Sequence, residues 1–108
     1  MPHAELKFSA DLGIDAPAVL ARIEAIIQTR DAGSGECKGR AYPAAEFHHS
    51  HLLADISLLR KSHRDAAFMR ALTDDLEVAI KAMIPVACFF SLNLHFSSET
   101  YVTNRHEP

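Results

Sequence analysis

The second residue of the chain is a proline, and its nitrogen is the first group whose position could give it chemistry. Removal of Met1 would leave Pro2 with a free secondary amine; with Met1 attached, the same nitrogen is a tertiary amide and not a base. A chain-end amine titrates at about 7.7–8.0, and burial or neighbouring cations lower that value by disfavouring the charged form. Held on a strand, such an amine would be neutral near pH 7 and suited to general-base work. The second feature is a set of cations. Lys38 and Arg40 alternate onto one face of a segment with strand-like spacing, while Arg60, Lys61 and Arg64 crowd the entry to a helix. Unpaired N–H groups and the dipole already favour anions there, and an arginine can grip a carboxylate through two parallel hydrogen bonds. The third is the cluster His48, His49 and His51. On a strand His49 and His51 share a face and His48 points away, and no paired cysteines accompany them, so the tetrahedral set that zinc requires is not expected. His63 and His95 read as ordinary polar residues.

Composition sets the frame for these groups. Eleven Lys and Arg against fourteen Asp and Glu give a net charge of -3, which excludes a broad basic surface for nucleic acid, so an anion must be caught by a few placed cations. Hydrophobic residues at 48% and charged residues at 23% are ordinary globular values over a length of 108, enough for one domain. A core this small makes oligomerisation an expectation. The N-terminus has no apolar signal region. The longest uncharged stretch, between Lys81 and His95, is 13 residues, short of the roughly 20 that span a bilayer. Cys37 and Cys88 stand far apart, as in a reduced, cytoplasmic protein.

The elements that must position the chemistry follow from periodicity. Ala4, Leu6 and Phe8 alternate with His3, Glu5 and Lys7, the pattern of a half-buried strand. Asp15 or Ala16 then caps a helix with Pro17 in its first turn; its apolar stripe is Val19, Leu20, Ile23, Ile26 and Ile27, and it stops near Arg30. Between Cys37 and His49 the spacing is β-compatible, but Gly39 and Pro43 limit it to an edge or a bulge. Leu52–Leu59 reads as a central strand, apolar on both faces. Ser62 with Asp65 resembles a capping box ahead of a long helix through Phe68, Met69, Leu72, Leu76, Ile80 and Met83, ending before Pro85. A last strand puts Cys88, Phe90, Leu92, Leu94 and Phe96 on one face. The predicted domain covers 1–98; the tail 99–108 is polar and expected to be mobile. The class is α+β, two β-α-β units forming a four-stranded sheet with both helices on one face. A ferredoxin-like sandwich shares this element order.

The opening Met1-Pro2-His3, the doubled β-α-β unit, the pair Lys38-Gly39-Arg40 near the second strand, and Arg64-Asp65 opening the long helix resemble the tautomerase superfamily. Within it the likeness is to the 5-carboxymethyl-2-hydroxymuconate isomerases, and it runs over nearly the whole chain. The resemblance implies an isomerase in which Pro2 is the catalytic base and Arg64, Arg40 and Lys38 bind the carboxylates of a small anionic substrate. It further implies a homotrimer with sites near subunit boundaries, no cofactor and no metal, and a place in aromatic-compound catabolism. At the helix entry, where family members often have Gly-Arg-Ser, this chain has His63-Arg64-Asp65, so Asp65 is expected to pair with Arg64. The alternative is a non-catalytic small-anion-binding or interaction module on the same or a ferredoxin-like fold.

Overall fold

In the computed structural model, which describes residues 1–108, strand β1 (His3–Ser9) leads through a single 3-10 turn, Ala10–Leu12, into helix α1 (Ala16–Arg30) and strand β2 (Lys38–Ala44). The second half repeats the order as β3 (His51–Leu58), α2 (Ala66–Lys81) and β4 (Phe89–Phe96). The strands lie side by side as β2-β1-β3-β4. Within each half the strands are parallel, and β1 meets β3 antiparallel at the centre, with Glu5 opposite Asp55. A ferredoxin-like fold places another strand between the two of each β-α-β unit. Direct pairing of β1 with β2 and of β3 with β4 excludes it.

Both helices cover the same sheet face. Ala4, Leu6 and Phe8 from β1 and Leu52, Ala54, Ile56 and Leu58 from β3 point into a core closed by Val19, Ile23, Ile26 and Ile27 of α1 and Leu72, Leu76 and Ile80 of α2. The helix spacing seen in the sequence is thus the spacing of the buried stripe. The two helices start alike. Asp15 Oδ1 accepts from the Ala18 N–H at 3.2 Å, and Asp65 Oδ1 from the Phe68 N–H at 2.8 Å, each satisfying one of the orphan donors of a first turn. Asp65 is therefore the cap itself, which corrects both the Ser62 capping box and the pairing of Asp65 with Arg64. At Gly39 a Cβ would lie 2.9 Å from Leu20 Cδ2, so the glycine lets α1 approach β2 closely. Pro43 is accommodated because β2 is an edge strand.

The other sheet face carries no helix. It presents His3, Glu5 and Lys7 beside Lys38, Arg40 and Tyr42 on one flank and His51, Leu53, Asp55 and Ser57 on the other. β3 is central, as expected, but not apolar on both faces: its open side is polar except for Leu53. The tail has no regular structure, yet it is not free along its length, because the Tyr101 hydroxyl lies 3.0 Å from His3 Nε2. No helix is long and apolar enough to cross a membrane.

Candidate functional site at the amino-terminal end of β1

The topology decides what surrounds Pro2. Because β2 is parallel to β1, its first residue lies beside the start of β1, and the Lys38 N–H donates to the Pro2 carbonyl at 2.9 Å. Because β3 is antiparallel, its last residues and the loop into α2 arrive at the same end. The end of α1 arrives there too, since a crossover helix runs back along its strands. Pro2 continues the helix-facing row of Ala4, Leu6 and Phe8 and is fully buried. The amine at the chain end, carried here by Met1, has its pKa lowered first by burial and then by the positive charges of Lys61 and Arg64.

The cations gathered here differ in what already holds them. The Arg64 side chain is 2% exposed. Its Nε and Nη2 donate to Asp31 Oδ2 at 2.9 and 2.7 Å, and its Nη1 donates to the Leu59 carbonyl at 2.8 Å. His63 Nε2 meets the same carboxylate at 2.8 Å. Its hydrogen bond, followed by those and the charge of Arg64, holds the Asp31 carboxyl down at about 2. Arg40 donates through Nε and Nη2 to Glu5 Oε1 at 3.1 and 2.7 Å, and Lys38 pairs with Glu36. Arg60 and Lys61 are exposed and have no carboxylate partner; the Arg60 guanidinium lies 4.2 Å from the centroid of the Phe96 ring. The helix-entry cluster is thus where the sequence placed it, but its most buried member is internally neutralised and its exposed members are the unpaired ones.

Two concavities open at this end. A groove of about 620 Å³ lies between the start of α2 and β4, lined in part by Arg60, Arg64, Met69, Leu94 and Phe96. On the open sheet face a polar hollow of about 320 Å³ is formed by His3, Glu5, Arg40, Ser57, Ser98 and Tyr101, among others. Asp55, also in its lining, binds His95 at 3.1 Å and Asn93 at 2.9 Å, and the Asp55 hydrogen bond raises the His95 pKa. Sequence reading missed Asp31, which has ordinary loop composition, and Tyr101, whose only signal was a lone aromatic ring in a polar tail.

The remaining candidates lie elsewhere. The His48 and His49 rings touch at a tilt of 51°, with centroids 4.1 Å apart, and His49 takes a left-handed backbone with φ 63 in the turn before β3. No three His, Cys, Asp or Glu side chains are grouped so as to hold a metal ion. Both cysteines are free thiols, and burial pushes the Cys37 thiol up to about 11.

No family model and no curated protein matches the chain. Solved structures do. A 5-carboxymethyl-2-hydroxymuconate delta-isomerase superposes with a TM-score of 0.75 at 19% identity, over 98% of this chain and 89% of that one. A 5-carboxymethyl-2-hydroxymuconate isomerase from Deinococcus radiodurans R1 gives 0.60 at 18% identity, over 98% and 90%. A macrophage migration inhibitory factor-like protein from Entamoeba histolytica gives 0.68 at 15%, over 97% and 96%. With its parallel β-α-β halves joined antiparallel, the chain has the tautomerase-superfamily fold, shared with these isomerase and inhibitory-factor neighbours.

Proposed function

We infer that the chain is a cofactor-independent isomerase of the tautomerase type, acting on a small carboxylate-bearing enol or unsaturated keto acid of the 5-carboxymethyl-2-hydroxymuconate kind. The observation that carries this reading is the convergence, at one end of the sheet, of a buried Pro2, a chain-end amine with a lowered pKa, and a cationic helix entry. Once Met1 is removed, the amine belongs to Pro2. Its neutral form takes a proton from the enol hydroxyl or an acidic carbon, and the resulting ammonium returns it to another carbon of the conjugated system. Arg60 and Lys61 are the cations free to hold the carboxylate. Arg64, tied to Asp31, contributes charge that favours the neutral form of the amine; Lys38 and Arg40 flank the site from β2. No cofactor or metal is required for this proton transfer.

The assembly that fits is a homotrimer in the cytoplasm. Phe89, Leu53 and Tyr42, on the helix-free side of the sheet, are exposed at 71%, 37% and 45% and are suited to burial against other copies. Sedimentation of the pure protein at three times the chain mass is the expected outcome; a monomer at micromolar concentration contradicts it.

The pairing of Arg64 with Asp31 favours a second reading, a non-catalytic anion-binding module on the same fold. One experiment separates the two. Protein shown by mass spectrometry to lack Met1 is expected to speed ketonisation of an enol carboxylate such as phenylenolpyruvate. Protein retaining Met1 is expected to lose that activity by at least a factor of about 10², the lower range for a positioned general base. Equal rates from both samples would defeat the Pro2 mechanism.

A further inference from the structure

The outer surface of the helix layer carries a groove that plays no part in the site at Pro2. Because β1 and β3 run in opposite directions and each crossover helix runs back along its own strands, α1 and α2 lie antiparallel. Between them a groove of about 550 Å³ follows Arg22, Ile26 and Thr29 on α1 and Asp75, Ala79 and Ala82 on α2. These positions recur at the four- and three-residue steps that put side chains on one face of a helix, and alanine at 79 and 82 leaves the seam unfilled. The buried Ile26 forms the floor, and Val78 stands on the wall. Of the large hydrophobic residues left exposed, Val78, at 72%, is the one that belongs to a helix.

The polar side chains of this lining are engaged, with one exception. The Thr29 hydroxyl donates to the Ala25 carbonyl at 2.8 Å, and Asp75 Oδ2 accepts from Arg30 Nε at 2.6 Å, which neutralises one end of the groove. Arg22 is exposed and unpaired. It stands eight residues before Arg30, roughly 12 Å along the axis of α1, and the surface between them is mostly carbon. We propose that this groove binds a free medium-chain carboxylate, its head on Arg22 and its alkyl chain along Ile26, Val78, Ala79 and Ala82 toward the Arg30–Asp75 pair. An arginine can take a carboxylate through two parallel hydrogen bonds, and the volume falls in the range of roughly 300–1,000 Å³ common to small-molecule sites. A docked protein chain fits less well. It needs about 1,000 Å² or more of buried surface and would have to take the Arg30–Asp75 pair out of water. The proposal goes beyond the isomerase reading, because the groove is not lined by Pro2 and faces away from the helix-free side of the sheet, where the copies of a trimer would meet.

The test follows backbone amide shifts of the full chain during titration with octanoate, 1-octanol and octylammonium at submicellar concentrations, for the unaltered protein, Arg22→Gln and Ala79→Leu. Octanoate is expected to give saturable shifts along residues 22–29 and 75–83, and octylammonium to bind more weakly. Arg22→Gln, a change at an exposed residue, is expected to weaken octanoate about 10-fold, as for loss of one charge-assisted hydrogen bond, and 1-octanol by less than about twofold. Ala79→Leu fills the seam and is expected to weaken both; Arg22→Gln keeps the test decisive if that variant does not fold. Absence of saturable shifts in the groove, equal octanoate affinity in Arg22→Gln, or octylammonium binding as tightly as octanoate overturns the proposal. Groove shifts that grow with protein concentration in the absence of ligand overturn it too, by assigning the face to a second copy of the chain. None of these measurements requires a free Pro2 amine, so failure here leaves the isomerase reading intact, and failure of the Met1 comparison leaves the groove intact.

Discussion

The two β-α-β halves are built alike and end up chemically unlike. Each has a helix capped by an aspartate one residue before its start, each pairs its strands in parallel, and each sends its strand-to-helix loop to the first residue of the other half. The loop into α2 brings Arg60, Lys61, His63 and Arg64 to the start of β1. The loop into α1 brings Asp11 to the start of β3, where its carboxylate accepts from the Ser50 hydroxyl. There, too, the buried Ser9 hydroxyl accepts from the His51 N–H at 2.9 Å and donates to the His51 carbonyl at 3.2 Å. The cationic end meets a chain terminus and the other end meets an internal peptide. Near-symmetric architecture thus gathers the cations Arg60, Lys61 and Arg64 at one end only, beside the buried Pro2.

The strongest way to break this comparison is to empty the polar centre of the cationic end. Asp31→Ala leaves the Arg64 guanidinium buried with only the Leu59 carbonyl, and is expected to cost about 3–5 kcal/mol in urea unfolding. Replacing Asp31 and Arg64 together by apolar residues should cost less than this single change. Acid offers the same test without mutation. Asp31 titrates at about 2 in the folded chain, below its unfolded value of about 3.9. Its contribution is therefore full above about pH 4 and lost as pH falls toward 2, and Asp31→Ala should flatten that part of the stability profile. At the other end, Ser9→Ala strands the His51 N–H in a buried setting, with an expected loss of about 2 kcal/mol by thermal or urea melts. The equivalence of the halves is sharpened by the smallest effects. Asp15→Ala and Asp65→Ala should each cost about 1 kcal/mol, the usual value for a lost N-cap, and a gap of more than about twofold between them would show that the two caps are not equivalent.

Much of this molecule was legible in order along the chain. Both helices and the last strand follow from the spacing of Ile23 and Ile27, of Leu72 and Leu76, and of Leu92 and Leu94, since burying one face imposes a period that depends on the element alone, whereas Gly39 and Pro43 blurred β2. The limits of that reading are visible at Arg64. Its neighbour Asp65 was the obvious carboxylate, yet Asp65 turns to the helix N–H groups while Asp31, 33 residues earlier, takes the guanidinium. His3 and Tyr101 are 98 residues apart and had no sequence signal linking them.

The sequence by itself determined the element order, the cationic character of the second helix entry and the proline that follows Met1, because these depend on local propensity and on short-range periodicity. Tertiary structure alone decided that β1 and β3 run antiparallel, and with it everything about the company Pro2 keeps. Strand direction sets which loops share an end of the sheet, and ion pairing is settled by which charges meet there at under 3 Å. No pattern read along one strand contains that information.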